Sequence, residues 1–193
     1  SCGAGLHHAR VAMQVAGYLP TVRRMPDPQR SDLLAVITPD ATASPDAQAT
    51  RLLEAALRRR TDRRALRNVP VPTPTLERLR DAAAAEGAWL HILNQDQVRT
   101  AVVAAEHAER TEYADPDYRS ELEAWTDVPE GSPAGIPGTV PQPRGRSYPA
   151  VGQYAVLFGD SDDPGAWLRG GEALSAVWLT ATDADLAVQP MSS

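Results

Sequence analysis

The 193 residues carry 19 Arg and no Lys against 25 Asp and Glu, a formal net charge of −6, and include one cysteine. A single thiol excludes a disulfide-built scaffold, and no apolar run reaches the roughly 20 residues that cross a bilayer, so a soluble, cytoplasmic protein without membrane contact is expected. The exclusive use of Arg, with Ala near a sixth of the chain, reads as GC-rich coding bias, and the start at Ser1 inside a helix pattern reads as an excised piece.

From Ala4 to Gly17, Leu6, Val11, Met13 and Val15 recur at helix period among small residues, and a glycine closes the helix. Thr21–Met25 and Leu33–Thr38 read as two strands joined through Pro26-Asp27-Pro28. A helix from Pro45 to Arg58 follows, with Leu52, Leu53, Ala56 and Leu57 on one face. Beyond the extended Val69–Pro74 stretch, Thr73 is placed to cap a helix running to Glu86, with Leu76, Leu79 and Ala83 as its buried stripe. Ala88–Leu93 is strand-like, and Asn94 opens a long helix toward Tyr113. A short helix is expected over Tyr118–Trp125, then a Pro- and Gly-rich loop to Pro149. Val151–Phe158 reads as a strand, and Asp163-Pro164 opens a final helix to about Ala184. Without a regular βαβ alternation, the fold class is α+β, a sheet covered by helices.

The segment Gly3-Ala4-Gly5-Leu6 is echoed 168 residues later by Gly171-Glu172-Ala173-Leu174, and the same offset pairs Val11 with Leu179, Ala16 with Ala184 and Tyr18 with Leu186. Two halves ending in such helices would form an internally duplicated pseudo-dimer.

Charge is concentrated between Arg51 and Arg67, where seven Arg face only Glu54 and Asp62. Because Arg58-Arg59-Arg60-Thr61-Asp62-Arg63-Arg64 follows a helix end and precedes extended chain, its forks and hydroxyl are placed to converge on a phosphate or a ring carbonyl edge. The alternative is a solvated cluster paired with Glu54, Asp62 and Glu77. Overall acidity and the lack of neighbouring aromatics argue against nucleic acid. His7-His8 point about 100° apart on a helix and lack a third ligand, so no metal is expected and a helix-face polar role is assigned to them. Cys2 reads as a small buried thiol, and the four Trp as packing residues.

Arg59-Arg60-Thr61-Asp62-Arg63, followed by Pro70-Val71-Pro72, Leu76, Leu79 and an Ala-rich helix, resembles the opening motif of the FMN-dependent nitroreductase family. Cys2-Gly3-Ala4-x-Leu6-His7-His8-Ala9-Arg10, Tyr118-Arg119-x-Glu121-Leu122-x-x-Trp125 and Asp163-Pro164-x-x-Trp167-Leu168-x-x-Gly171-Glu172-Ala173-Leu174 resemble, in this order, its actinobacterial Acg-like branch. The resemblance implies a nitroreductase-like mixed sheet, internally duplicated, with residues 1–57 ending the first half and 58–193 carrying most of the second, including a lid-like loop over 118–149. It also implies that the family's N- and C-terminal parts lie outside the chain. FMN would sit at the junction of the halves: Arg59, Arg60 and Thr61 on the phosphate and ribityl chain, Arg63 at the N1/O2 edge, and the Pro190-Met191-Ser192 backbone beside N5. The implied activity is hydride transfer from NAD(P)H through flavin to a nitro-aromatic or quinone-like acceptor, by a monomeric pseudo-dimer or a homodimer, with no separate catalytic acid. The alternatives are a flavin-sequestering protein with a closed lid and an Arg-rich interaction module without cofactor. Two departures stand out: Ala65-Leu66 replaces the family's Pro-Phe, and Asp185 stands where the family carries Gly.

Overall fold

The computed structural model describes residues 1–61, 69–116, 120 and 152–190. In chain order these form α1 (Cys2–Val15), β1 (Tyr18–Arg24), β2 (Ala35–Thr42), α2 (Ala47–Arg58), α3 (Thr73–Ala85), β3 (Trp89–Ile92), α4 (Gln95–Ala114), β4 (Ala155–Phe158) and α5 (Pro164–Asp183). The α+β expectation holds, and the described strands form two separate antiparallel pairs, β1–β2 and β3–β4. The expected Tyr118–Trp125 helix and the loop to Pro149 lie almost wholly outside the described residues.

The chain divides into two compact units, Ser1–Ile92 with Gln153–Pro190, and Leu93–Gly152 with Met191–Ser193. In the second, α4 is opened by a reciprocal cap. Gln97 N–H donates to Asn94 Oδ1 at 2.9 Å, and Asn94 N–H donates to Gln97 Oε1 at 3.0 Å, which satisfies backbone groups that the first helical turn leaves open.

In the first unit, α1, α2 and α3 all pack against α5. Leu79 and Ala83 of α3 meet Val177 and Ala181 of α5, and Leu76, Leu90, Leu157, Leu186 and Val188 close around them. One side of the β3–β4 ribbon thus joins the core through Leu90 and Leu157. The other leaves Trp89 and Phe158 half-exposed and stacked, ring centres 5.9 Å apart. Asp46 caps α2, accepting from Gln48 N–H and Ala49 N–H at 2.6 and 3.1 Å, so Pro45 precedes the cap and is not in the first turn. The buried side of α2 is formed by Ala49 and Ala55, whereas Leu57, placed on the buried face by periodicity, is 84% exposed. Small residues win there because they let α2 approach α1 and α5 closely.

The tightest approach is between α1 and α5. A Cβ on Gly3 would lie 2.1 Å from Leu168 O and 2.8 Å from Glu172 N, and one on Gly171 would lie 3.0 Å from Gly3 Cα. Four residues further along each helix, His7 Nδ1 and Ser175 Oγ are 2.9 Å apart. Gly3 meets Gly171 and His7 meets Ser175, so the contacts advance in the same direction along both helices and the pair runs locally parallel.

Helix α5 ends in a Schellman motif: Leu186 N–H donates to Ala181 O at 2.9 Å and Asp185 N–H to Thr182 O at 3.1 Å. That turn puts Asp185 at φ +55°, the left-handed region in which a Cβ is strained and glycine is favoured. Replacing Asp185 by Gly is expected to stabilise the chain by about 0.5–1 kcal/mol, read as a higher urea midpoint at unchanged slope. Among the described residues no helix is long and apolar enough to cross a membrane.

Candidate functional site

The segment following α2 is positioned at two points. Arg59 ends the helix and turns the backbone to ψ +131°. Two residues later Thr61 forms an isolated parallel bridge with Val188. The bridge brings Arg59-Arg60-Thr61 beside Val188-Gln189-Pro190, so two of the segments singled out in the sequence, far apart along the chain, lie next to each other. Arg63, Met191 and Ser192 lie outside the described residues.

The three consecutive Arg have different surroundings. Arg58 is exposed and reaches Asp185 at 3.9 Å. Arg59 is half-buried, and its guanidinium carbon lies 4.3 Å from the centre of the Trp178 ring, over its face. Arg60 and Thr61 are exposed and Pro190 is half-buried. His8 of α1 is also held below the usual imidazole range, first by burial and then by the positive charge of Arg59. Of the salt bridges that the alternative reading required, none to Glu54 or Glu77 forms at Arg59 or Arg60 among the described residues; Asp62 lies outside them.

A second polar group, buried between helices, was not anticipated from the sequence. Glu172 of α5 is fully buried. Arg24 of β1 grips it in a fork, Nε donating to Oε2 at 2.6 Å and Nη2 to Oε1 at 2.8 Å. Arg10 of α1 donates through Nη1 to Glu172 Oε1 at 3.0 Å and to Glu86 Oε2 at 2.5 Å. Glu86 follows the C-terminus of α3, where the helix dipole disfavours a carboxylate, and Arg10 offsets that cost. Two guanidinium groups thus balance two carboxylates, and among the described residues no buried side-chain nitrogen or oxygen lacks a partner. The partners are 76 to 162 positions apart, so no local spacing announces them. The available sequence signal was a Glu inside the small-residue stretch of α5, where a solvated charge has no place.

His7, assigned a helix-face role, is in fact 4% exposed, because the α1–α5 seam closes over it. Burial pushes its pKa down to about 4, with Glu86 opposing the shift and Arg10 and His8 adding to it. A histidine kept neutral by the fold contributes fully above the ordinary value of 6.5, and that contribution is lost as pH falls toward 4. Stability is expected to drop by about 2 kcal/mol between pH 7.5 and pH 5 on this account, measured by urea unfolding, and His7→Gln is expected to flatten the profile.

Cys2 is exposed and not buried as expected, since it sits in the first turn of α1. Trp167 is 64% exposed, its indole N–H donating to Asp162 Oδ1 at 2.6 Å, and so is not a core residue. Among the described residues no three His, Cys, Asp or Glu side chains converge as a metal site.

Chemically, the Arg59–Thr61 segment offers guanidinium donors and a hydroxyl at an accessible helix end, a donor set suited to a phosphate monoester. The buried cluster, with its charges already matched, offers a ligand nothing and serves to hold the helices together.

No family model matches the chain. It is 34% identical over its whole length to a Mycobacterium tuberculosis protein named "Putative NAD(P)H nitroreductase", of which the match covers 61%. It is 31% identical over 96% of its length to the M. tuberculosis protein named "Putative NAD(P)H nitroreductase acg", covering 62% of that protein. An uncharacterized protein of the same organism matches at 31% over 97% of this chain and 60% of the relative. The chain therefore spans about three-fifths of the length of these curated relatives.

Proposed function

This chain belongs to the nitroreductase family, in the Acg-like branch, and from that premise we propose that it is part of an FMN-binding oxidoreductase using NAD(P)H. The observation that carries the cofactor reading is the placement of Arg59, which is held at a helix end over Trp178 and has no carboxylate at ion-pairing distance among the described residues. With Arg60 and the Thr61 hydroxyl beside it, this donor set fits the phosphate end of FMN.

In this reading Arg59 and Arg60 bind the phosphate and Thr61 donates to it or to the ribityl chain. The parallel bridge from Thr61 to Val188 sets that anchor beside the Val188-Gln189-Pro190 segment. Backbone amides of Met191 or Ser192 serve the N5 side of the ring and Arg63 its N1/O2 edge, where a cation stabilises developing negative charge. When bound, FMN supplies a ring that takes a hydride from NAD(P)H and passes it to a nitro-aromatic or quinone-like acceptor.

We also read the first unit as the junction of two equivalent halves, arranged as a pseudo-dimer. Its support is that the 168-residue offset relates contacting positions: Gly3 touches Gly171 and His7 bonds Ser175. The same offset relates Gly17, at φ +81°, to Asp185, at φ +55°, each just past the end of its helix. Parallel self-pairing of equivalent helices is what a two-fold axis along the seam produces.

The visible spectrum of the full chain as purified, followed by anaerobic titration with NADH and NADPH, tests the enzyme reading. A yellow protein that bleaches is expected. A yellow protein that does not bleach would move the assignment to flavin sequestration, and a colourless protein that cannot be loaded with FMN would overturn it.

A further inference from the structure

We infer that Trp178 is a positioning residue that holds Arg59 as an oriented cation, unpaired with any carboxylate among the described residues, for a phosphate monoester; the inference rests on the FMN reading above. The two Arg of the buried cluster show the contrasting arrangement. Arg10 and Arg24 donate directly to Glu86 and Glu172, so their charges are matched inside the fold. Arg58, next to Arg59 in sequence, reaches the carboxylate of Asp185 at 3.9 Å. Arg59 instead lies over an indole face at 4.3 Å. A carboxylate orients a guanidinium and cancels its charge. An aromatic face orients it through the ring quadrupole and leaves the full positive charge available to an anionic ligand.

The placement of the two partners serves the same end. Arg59 closes α2 and Trp178 lies in the last two turns of α5, so the contact spans two helices that pack against each other. A long side chain at a helix end has many rotamers, and fixing one before the ligand arrives lowers the ordering cost of binding.

The test is equilibrium binding of FMN and, separately, of inorganic phosphate to the full chain. It compares the wild type with Trp178→Phe, Trp178→Leu, Arg59→Gln and the Arg59→Gln/Trp178→Leu pair. Removing the aromatic face is expected to weaken FMN binding about tenfold and Trp178→Phe about twofold to threefold. In the Arg59→Gln background, Trp178→Leu is expected to cost nothing further. If Trp178→Leu fails to fold, fluorinated tryptophan at position 178 weakens the ring quadrupole at nearly constant shape, and affinity is expected to fall with each fluorine. Equal losses from Trp178→Leu in both backgrounds, or affinity indifferent to fluorination, would overturn the inference. Phosphate binding with this dependence but no FMN binding would overturn the FMN reading and leave the positioning role standing. Failure of both probes to bind would overturn both.

Discussion

Glu172→Ala is expected to destabilise the chain by about 3–5 kcal/mol, the range for breaking a buried ion pair from one side. Glu172 is fully buried, and three charge-assisted hydrogen bonds from Arg10 and Arg24 end on its two oxygens. Removing it leaves Arg24 without its fork partner and Arg10 with Glu86 alone. Chemical unfolding of the variant measures the loss. Glu172→Gln keeps the shape and one acceptor oxygen but not the charge, and should fall between wild type and alanine. If Glu172→Ala costs less than about 1 kcal/mol, the value of an exposed pair, the cluster is solvated and does not hold the helices.

Gly3→Ala is expected to cost at least about 3 kcal/mol, at or above the upper end for overpacking, because the added Cβ meets backbone and not a movable side chain. It would lie 2.1 Å from Leu168 O, so α1 and α5 must separate to accommodate it, stretching the His7–Ser175 contact one turn away. Gly5 is the internal control. Nothing lies within 4 Å of a Cβ there, and the same substitution should be neutral or stabilise by up to about 1 kcal/mol through helix propensity. Thermal unfolding of the two variants side by side distinguishes a tight helix crossing from a general glycine effect; equal midpoints would contradict the crossing.

Reading along the chain located the helices and strands that carry their own signals. The Asn94 and Asp163 caps, the β1–β2 hairpin and the Leu76, Leu79, Ala83 stripe all depend on residues within a few positions of one another. Local signals also misled at single residues: Thr73 opens α3 without a capping bond, and Pro45 precedes the α2 cap. Leu57 fits an apolar stripe, but the helix turns its alanines inward because α1 and α5 approach too closely for leucine. Asp185 was visible only as a departure from glycine until the backbone showed φ +55°. The buried cluster was out of reach because its members come from α1, β1, α5 and the end of α3, brought together only by tertiary packing. The candidate site was half legible. The Arg-rich segment signalled an anion by composition, while the Arg59 contact with Trp178 and the Thr61 bridge to Val188 needed the fold.

FMN binding by the full chain tests the central claim most directly. Titrating FMN against the protein and following quenching of flavin fluorescence is predicted to show saturable, one-to-one binding, weakened in Arg59→Gln and competed by inorganic phosphate. Free FMN fluorescence that stays unchanged at all protein concentrations would contradict the claim, as would binding that is indifferent to both phosphate and Arg59.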